Sequence, residues 1–241
     1  MDFYRYLLIF LLFINYNIFS QSLDSNFTLV IDPGHGGKDP GNTGNGYLEK
    51  KIALSIGLKI GDRLKKYKNL KVIYTRKTDI FVDLYRRAKI ANDVEADLFI
   101  SIHCDAHTSN AYGAGTFVLG LHANERNFKI AQKENSVIFL EDDYQQKYAG
   151  FDPNNPESVI SLVLMQEDYL DKSIVAANFI QKSFVNRLKR RDRTVKQAGF
   201  LVLRNTYMPS VLVETGFLTN KTEGSYLNSK KGQNEMADAC L

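Results

Sequence analysis

The sequence predicts a single α/β domain with a mostly parallel, twisted sheet and helices on both faces. Short, β-branched apolar runs alternate with stretches whose apolar residues recur at helical spacing, which is the pattern of repeated β-α-β units. The 241 residues are 44% hydrophobic and 24% charged, a composition that suffices for one well-buried core. No internal repeat or low-complexity tract interrupts this pattern.

The predicted elements follow one another from residue 27. Ile52, Ile56 and Ile60 recur every four residues, so the helix that carries them has an apolar face opposite a lysine-rich one. We predict strands at 27–31, 71–75, 97–102, 113–120, 200–203 and 210–213, and helices at 49–67, 82–92, 123–134 and 171–188.

The first twenty residues have the composition of an export signal. Arg5 is the only basic residue before the apolar run 7–14, and small or polar residues follow that run. We therefore predict a signal peptide at 1–20, a short linker at 21–26 and a folded domain at 27–241, in a protein exported to a periplasm or the cell exterior. An uncleaved signal that tethers the protein to the membrane is the alternative.

Charge and cysteine content narrow the classes of partner. A net charge of +4 suits an anionic partner such as a cell-wall polymer, but no block of five basic residues occurs. We interpret the densest basic cluster, 189–193, as a solvated helix end and expect no nucleic-acid partner. Cys104 and Cys240 are too few for a disulfide framework, and the sequence leaves open whether they pair.

Four polar residues lie at or near the ends of predicted strands. His35 follows the first strand in a glycine-rich loop, His103 ends the strand at 97–102, and Glu214 ends the strand at 210–213. In open α/β sheets the functional groups collect beyond the carboxyl ends of the strands. Glu49 begins a predicted helix, where the positive helix end favours a carboxylate and lowers its pKa.

These residue types together point to metal chemistry. Two imidazoles and one carboxylate, with a fourth position open, are a ligand set typical of catalytic zinc, and a further carboxylate can act as the base. Each residue alone has an ordinary explanation, such as an exposed loop histidine or compensation of a helix dipole. Adjacent strand residues point to opposite faces, so we expect Cys104 to pack in the core and not to share a metal with His103.

Further residues extend the pattern along the chain. In order, they are Asp32-Pro33-Gly34-His35-Gly36-Gly37, Glu49, Thr75-Arg76 with Asp79, Arg87 with Ala91-Asn92, Ser101-Ile102-His103, and Val211-Leu212-Val213-Glu214-Thr215-Gly216-Phe217-Leu218-Thr219-Asn220. This combination resembles the zinc-dependent N-acetylmuramoyl-L-alanine amidase family, type 3, and the resemblance covers the chain from about residue 27 to near its end.

The resemblance implies an activity and a set of roles. It implies a peptidoglycan hydrolase that cleaves the amide between N-acetylmuramic acid and the L-alanine of the stem peptide. It further implies that His35, Glu49 and His103 bind Zn²⁺ and that Glu214 is the catalytic acid and base. The domain at 27–241 is then a zinc amidase domain, and we expect it to be a monomer.

The segment 135–170 fits the strand and helix alternation poorly. It is acidic at 141–143, then interrupted by prolines, then apolar at 159–165. Some relatives carry an insertion here whose helix covers the zinc until a partner draws it away. We therefore expect a candidate regulatory insertion at 135–170 that binds an activator protein. An ordinary crossover with a helix at about 157–169 is the alternative.

Arg204 is a candidate substrate-binding residue, because a guanidinium group binds carboxylates in a forked geometry. It could hold a carboxylate of the stem peptide or the lactyl oxygen, and a surface salt bridge is the alternative. Two other functions stay open at this point. A non-catalytic peptidoglycan-binding protein would be expected to lack a ligand or Glu214, and a zinc carboxypeptidase would need a pocket for a free C-terminal carboxylate.

Overall fold

A computed structural model describes residues 26–121, 124–149, 151–155 and 167–241. The strands in these residues are Phe27–Pro33 (β1), Thr43–Gly44 (β2), Tyr47–Leu48 (β3), Leu70–Tyr74 (β4), Leu98–Asp105 (β5), Ala114–Leu119 (β6), Asp192–Ala198 (β7) and Ser210–Phe217 (β8). The α-helices are Glu49–Leu64 (α1), Leu84–Asp93 (α2), Glu125–Asn135 (α3), Tyr144–Lys147 (α4), Glu167–Asn186 (α5), Leu201–Arg204 (α6), Lys221–Asn228 (α7) and Lys230–Ala239 (α8), and a 3₁₀ helix spans Ser136–Leu140.

Six of the strands form one twisted sheet in the order β4-β1-β5-β8-β6-β7. Every neighbouring pair is parallel except β6 and β8, which run antiparallel. The prediction of a mostly parallel sheet is therefore confirmed. The carboxyl ends of β1, β5 and β8 meet at one edge of the sheet, where the side chains that follow these strands lie close together.

Apolar layers cover both faces of the sheet, as predicted. Along β1, Leu29 and Ile31 face one layer while Val30 faces the other, because successive strand residues point to opposite sides. Helices α1, α5 and α8 pack on the first face, and α2, α3 and α6 pack on the second. The helix predicted at 49–67 ends in the structure at Leu64.

The structure corrects two predictions in the last third of the chain. Residues 200–203 are not a strand, because Leu201–Arg204 form a short helix whose apolar side chains are buried. A buried helical turn and a buried strand have the same apolar run, so the pattern alone does not separate them. The basic cluster at 189–193 is not simply a solvated helix end, since α5 stops at Asn186 and β7 begins at Asp192.

Two regions of the N-terminal and insertion predictions lie outside the described residues. These are the predicted signal peptide with nearly all of the linker, and most of the alternative helix at 157–169. Within the residues that the structure describes, no helix combines the length and the apolar character that crossing a membrane requires.

Two buried arginines hold the loop that carries His35. Arg76 donates hydrogen bonds to the carbonyl oxygens of Pro33 and Gly34, and Arg87 donates to those of Pro33 and His35. Arg87 also pairs with the fully buried carboxylate of Asp32 at 2.7 Å. These contacts join the motif after β1 to two arginines that lie later in the chain.

The Asp32 carboxylate is ionised because of its neighbours. Burial alone would raise its pKa, but Arg87, with hydrogen bonds from Thr75 and Ser101, lowers the pKa below its usual value of 3.8. A buried charge is tolerated only when it is paired and hydrogen-bonded in this way.

Arg87→Met is expected to destabilise the fold by about 3–5 kcal/mol, because it leaves the Asp32 carboxylate buried without its counter-charge. Urea unfolding of both proteins measures the difference. The contribution is present above pH 3.8 and is lost as the pH falls below it, since the folded-state pKa of Asp32 is lowered. Lys89→Met, two residues along α2 in an exposed pair with Asp93, is the control and should cost less than ~0.5 kcal/mol. Equal effects of the two substitutions would contradict this account.

Candidate active site and metal centre

The three predicted metal ligands converge at the carboxyl edge of the sheet. His35 Nε2 lies 3.2 Å from Glu49 Oε2, and His103 Nδ1 lies 3.1 Å from Glu49 Oε1. All three side chains are buried, and the two imidazole rings meet edge to face with centroids 4.8 Å apart. One nitrogen of each ring and one carboxylate group therefore face a common point.

Glu49 is held in its charged form by the two histidines, and backbone amides fix its position. It is the first residue of α1, and its two oxygens accept hydrogen bonds from the amides of Asn42 and Cys104, each at 2.7 Å. Burial alone would raise its pKa, but His35 and His103 lower the pKa strongly. A fully buried, ionised carboxylate at this place is suited to bind a cation.

The outer nitrogen of each imidazole has its own partner. His35 Nδ1 lies 2.7 Å from Asp39 Oδ2, and His103 Nε2 lies 3.1 Å from the hydroxyl of Ser101. Partners of this kind fix the orientation of metal-binding histidines and leave the inner nitrogen free to coordinate. The backbone of His35 has a φ of 59°, a left-handed conformation that is uncommon for a residue other than glycine and typical of functional positions.

A fourth residue, Glu134, joins this cluster from the last turn of α3. Its Oε2 lies 3.1 Å from His35 Nε2 and 3.2 Å from His103 Nδ1. Glu134 is not among the residues predicted from the sequence, because it lies one residue before the segment 135–170 and about thirty residues from any other motif. A glutamate in a helix that also carries three lysines or arginines gives no signal of its own.

The four side chains fit a metal ion. Their ligand atoms all lie within 4.8 Å of one another, and His35 Nε2 and Glu134 Oε2 are buried without a hydrogen-bond partner among the described residues. Burial alone would lower the pKa of His103, but Glu134 and Glu49 raise it to about 9. The two carboxylates thus favour positive charge at the centre of the cluster. Protons on the imidazoles can supply this charge, and a bound cation can supply it in their place.

Glu214 lies beside the cluster on the neighbouring strand. It is the direct register partner of His103 between β5 and β8, so the two side chains share one face of the sheet. Its carboxylate is buried, and neither oxygen has a hydrogen-bond partner in the described part of the chain. Burial and the nearby carboxylates of Asp105 and Glu134 raise its pKa well above its usual value. A carboxyl group in this state can both accept and return a proton.

Comparisons with known proteins agree with this geometry. A family model described as N-acetylmuramoyl-L-alanine amidase matches residues 29–241. The amidase AmiA of Escherichia coli (strain K12) is 35% identical over 218 residues, which cover 88% of this chain and 72% of AmiA. An N-acetylmuramoyl-L-alanine amidase structure from Clostridium difficile 630 gives a TM-score of 0.67 at 28% identity, covering 90% of this chain and 94% of that one. The amidase AmiC2 of Nostoc punctiforme gives 0.66 at 27% identity, with coverages of 90% and 93%.

The chain belongs to the N-acetylmuramoyl-L-alanine amidase family. The resemblance inferred from the sequence motifs is therefore confirmed, and so is the predicted α/β fold class, which the solved amidase structures share. The match supports peptidoglycan amidase function as the activity of this domain.

Arg204 lies apart from the amidase cluster. It ends α6 and lines a surface pocket of about 400 Å³ together with Asn92, Lys147 and Tyr207. Neither Glu214 nor any of the four clustered residues lines that pocket. The structure thus brings together His35, Glu49, His103 and Glu214 but not Arg204, whose role in substrate binding stays a prediction.

Hydrogen bonds hold the first part of the segment 135–170 against the core of the domain. The side-chain amide of Asn135 donates to the carbonyl of Gly199, and Glu141 accepts hydrogen bonds from the backbone amide of Leu84 and the Tyr148 hydroxyl. Tyr148 in turn accepts from the amide of Tyr85. The acidic residue Glu141 is therefore used to cap α2, and it does not reach the metal cluster.

Cys104 behaves as predicted. Its side chain lies in the apolar layer on the α1 side of the sheet, opposite to His103, and its thiol contacts the Thr215 hydroxyl at 3.1 Å. Cys240 is buried in the same layer, and both thiols are free.

Gly41→Ala is expected to weaken metal binding by about 10- to 100-fold, the range found when the support of a ligand is lost. A Cβ at Gly41 would lie 2.5 Å from His35 Cδ2 and 2.8 Å from Glu49 Oε2, so both ligands would have to move. Titration against a competing chelator measures the affinity. Gly46→Ala is the matched control: it has a similar left-handed φ, 80° against 68°, but nothing lies within 4 Å of its added Cβ. Equal losses in both variants would show that backbone strain alone matters.

Proposed function

We propose that this domain is a zinc-dependent hydrolase that cleaves the amide between N-acetylmuramic acid and the L-alanine of the peptidoglycan stem. The observation that carries the proposal is the pairing of a metal-competent cluster with Glu214, a buried carboxyl group without hydrogen-bond partners, on the adjoining strand. A mixed set of imidazole and carboxylate ligands suits Zn²⁺.

The roles of the side chains follow from their environments. Zn²⁺, when bound, polarises a carbonyl and lowers the pKa of a bound water to roughly 7. His35, Glu49 and His103 would hold it, with Asp39 and Ser101 orienting the two rings. Glu214, whose raised pKa lets it both accept and return a proton, would deprotonate the attacking water and then protonate the alanine nitrogen as the amide breaks.

Digestion of purified peptidoglycan tests this function. Amidase action frees the amine of L-alanine and leaves the glycan strands intact, whereas a carboxypeptidase frees single amino acids and a binding protein frees nothing. Detection of new alanine amines together with unchanged glycan length is the expected result. The apolar run at 7–14 supports export of the chain to this substrate, and sequencing the N terminus of the secreted protein tests whether the signal is cleaved.

Glu214→Gln is expected to keep zinc near one ion per chain while turnover falls by roughly two to four powers of ten, because the amide keeps the shape but cannot take a proton. Glu49→Gln should show the opposite order of effects, with zinc affinity lost first. His103→Ala should lose both zinc and activity. Metal analysis and end-group assays on the same preparations measure these effects. Zinc loss in Glu214→Gln, or full activity in metal-free protein, would contradict the assignment.

We further propose that Glu134 keeps the enzyme inactive in the arrangement described above. Catalytic zinc sites have three protein ligands and leave a position open for water or substrate, whereas structural sites are closed by a fourth ligand. Glu134 approaches both imidazoles as closely as Glu49 does, so it is suited to be that fourth ligand. Hydrolysis then requires α3 to move away.

The regulatory element would then include the last turn of α3 as well as the predicted segment 135–170. The predicted insertion 135–170 begins one residue after Glu134, and its described part anchors α3 to the core through Asn135 and Glu141. An activator protein that binds this segment could favour the open arrangement by stabilising it relative to the closed one. Within the part of the segment that the structure describes, Phe139 and Leu140 expose apolar side chains to such a partner.

Glu134→Ala is expected to raise basal peptidoglycan hydrolysis by roughly 5- to 150-fold, the usual range of an allosteric coupling, with zinc retained by the other three ligands. Release of alanine amines without any partner protein measures it. Glu125→Ala, at the exposed start of the same helix in a pair with Lys129, is the control and should change nothing. Unchanged activity with unchanged zinc in Glu134→Ala would rule out the inhibitory role.

A further inference from the structure

A second chamber borders Glu214 and is separate from the metal cluster. It contains Glu214 but none of the four clustered residues. Through three shared residues it adjoins an open cleft of about 550 Å³ beneath α3. The chamber itself is small, about 10 Å³, and Arg126 and Ile130 of α3 form part of its wall, so a ligand group would enter it only when α3 moves away. Its other polar lining residues are Asp105, Arg193 and Lys196. Neither the proposed zinc chemistry nor the proposed gate uses its three cations.

Gly115 opens the space between Glu214 and Lys196. It lies on β6, where it is the register partner of Glu214 on one side and adjoins β7 on the other. A Cβ at this position would lie 3.2 Å from Lys196 Nζ and 3.0 Å from Arg193 Cβ. Because glycine has no side chain, the Lys196 ammonium can extend across β6 toward the strand of Glu214.

The Lys196 side chain makes no direct ion pair with a carboxylate of the described residues, although Asp105 and Glu214 lie near enough to favour its charge. Its ammonium lies over the ring of Phe117, 4.8 Å from the centroid, and forms no ion pair or hydrogen bond with the described residues. Burial and the nearby cations Arg126 and Arg193 lower its pKa to about 8. A half-buried cation in this state gains from the approach of an anion, because the anion would offset both the burial and the repulsion.

Arg193 presents a second cation to the same chamber. Its Nε donates to the carbonyl of Tyr112, and its guanidinium lies over the ring of Phe217, 5.1 Å from the centroid. Burial and the neighbouring arginines Arg126 and Arg191 lower its pKa. The two terminal nitrogens of a guanidinium held by Nε keep the forked geometry that binds a carboxylate.

We propose that Lys196 and Arg193 form a subsite for the free carboxylate of the stem-peptide residue that follows L-alanine. The proposal rests on the proposed function, in which Glu214 protonates the alanine nitrogen, so that the peptide leaves on the Glu214 side of the metal. In peptidoglycan the next residue is a D-glutamate joined through its side chain, and its α-carboxyl group is either free or amidated. The subsite therefore selects stems in which this group is charged.

The test is a binding measurement on the zinc-loaded full chain, so it does not depend on turnover. The ligands are the product tripeptide L-Ala-γ-D-Glu-L-Lys and the same peptide with the D-glutamate α-carboxyl amidated. We expect the free acid to bind about 10- to 100-fold more tightly by calorimetry, as for hydrogen bonds to a charged group. Lys196→Met should abolish this preference, and Lys196→Arg should restore most of it.

Lys71→Met is the matched control, because it removes one lysine charge from β4 at the opposite edge of the sheet. It should leave the preference for the free acid unchanged. If α3 closes the cleft so that the wild type binds neither peptide, Glu134→Ala is measured instead, and failure to bind in that variant too overturns the subsite.

Several further outcomes are decisive. No preference in the wild type, or the same preference in Lys196→Met, would overturn the subsite. If Lys196 only balances the charges of Glu214 and Asp105, Lys196→Met would change the binding of both peptides equally, which also overturns it. A charge preference in a protein that does not hydrolyse peptidoglycan would instead overturn the proposed function and support the subsite.

Discussion

Buried negative charge at the carboxyl edge of the sheet is the constraint on which the rest of the site depends. Glu49, Glu134, Glu214 and Asp105 are all nearly inaccessible to solvent, and they lie close enough to one another to interact electrostatically. Such a group of carboxylates is stable only if hydrogen bonds, protons or cations offset it. The structure uses all three, and the choice differs from one carboxylate to the next.

The difference between these carboxylates separates their chemical roles. Glu49 accepts two backbone hydrogen bonds and stays ionised, which is what a metal ligand needs. Burial raises the pKa of Asp105 to about 7 and the pKa of Glu214 well above its usual value, and Glu214 accepts no hydrogen bond from the described residues. Two glutamates within one site thus become a ligand and a proton carrier because of their surroundings alone.

The sequence predicted the elements with strong patterns and missed those whose side chains are set by distant contacts. The apolar stripe of α1 and the run into His103 indicate a helix and a buried strand regardless of context. By contrast, β7 is an edge strand with polar residues, and its basic start resembles a helix end. The three apolar residues of the turn Leu201–Arg204 are all buried, so their run was mistaken for a buried strand.

The same distinction holds for the functional residues. His35, His103 and Glu214 each follow an apolar strand, so the end of the strand indicates where they lie in the fold. Glu134 and Lys196 do not follow an apolar strand, so the sequence does not indicate where they lie. Glu134 belongs to a helix whose charged residues suggest exposure to solvent, and Lys196 belongs to an edge strand. Only the folded chain brings Glu134 into the cluster and Lys196 beside Glu214. Arg204 also follows an apolar run, yet it lies in a separate pocket away from the cluster.

Helix α3 links the metal centre to the chamber of Lys196. Glu134 from its last turn joins the cluster, while Arg126 and Ile130 from its first two turns line the chamber. The helix therefore covers both the position where the amide would react and the position where the stem peptide would extend. A bound substrate and the closed helix would occupy the same surface. A ligand that binds the open form therefore shifts the equilibrium away from the closed form, to an extent set by the ratio of its affinities for the two forms. A charged stem that gains from Lys196 and Arg193 would bind the open form more strongly than an amidated one. The same contacts would then both select the charged stem and favour displacement of α3.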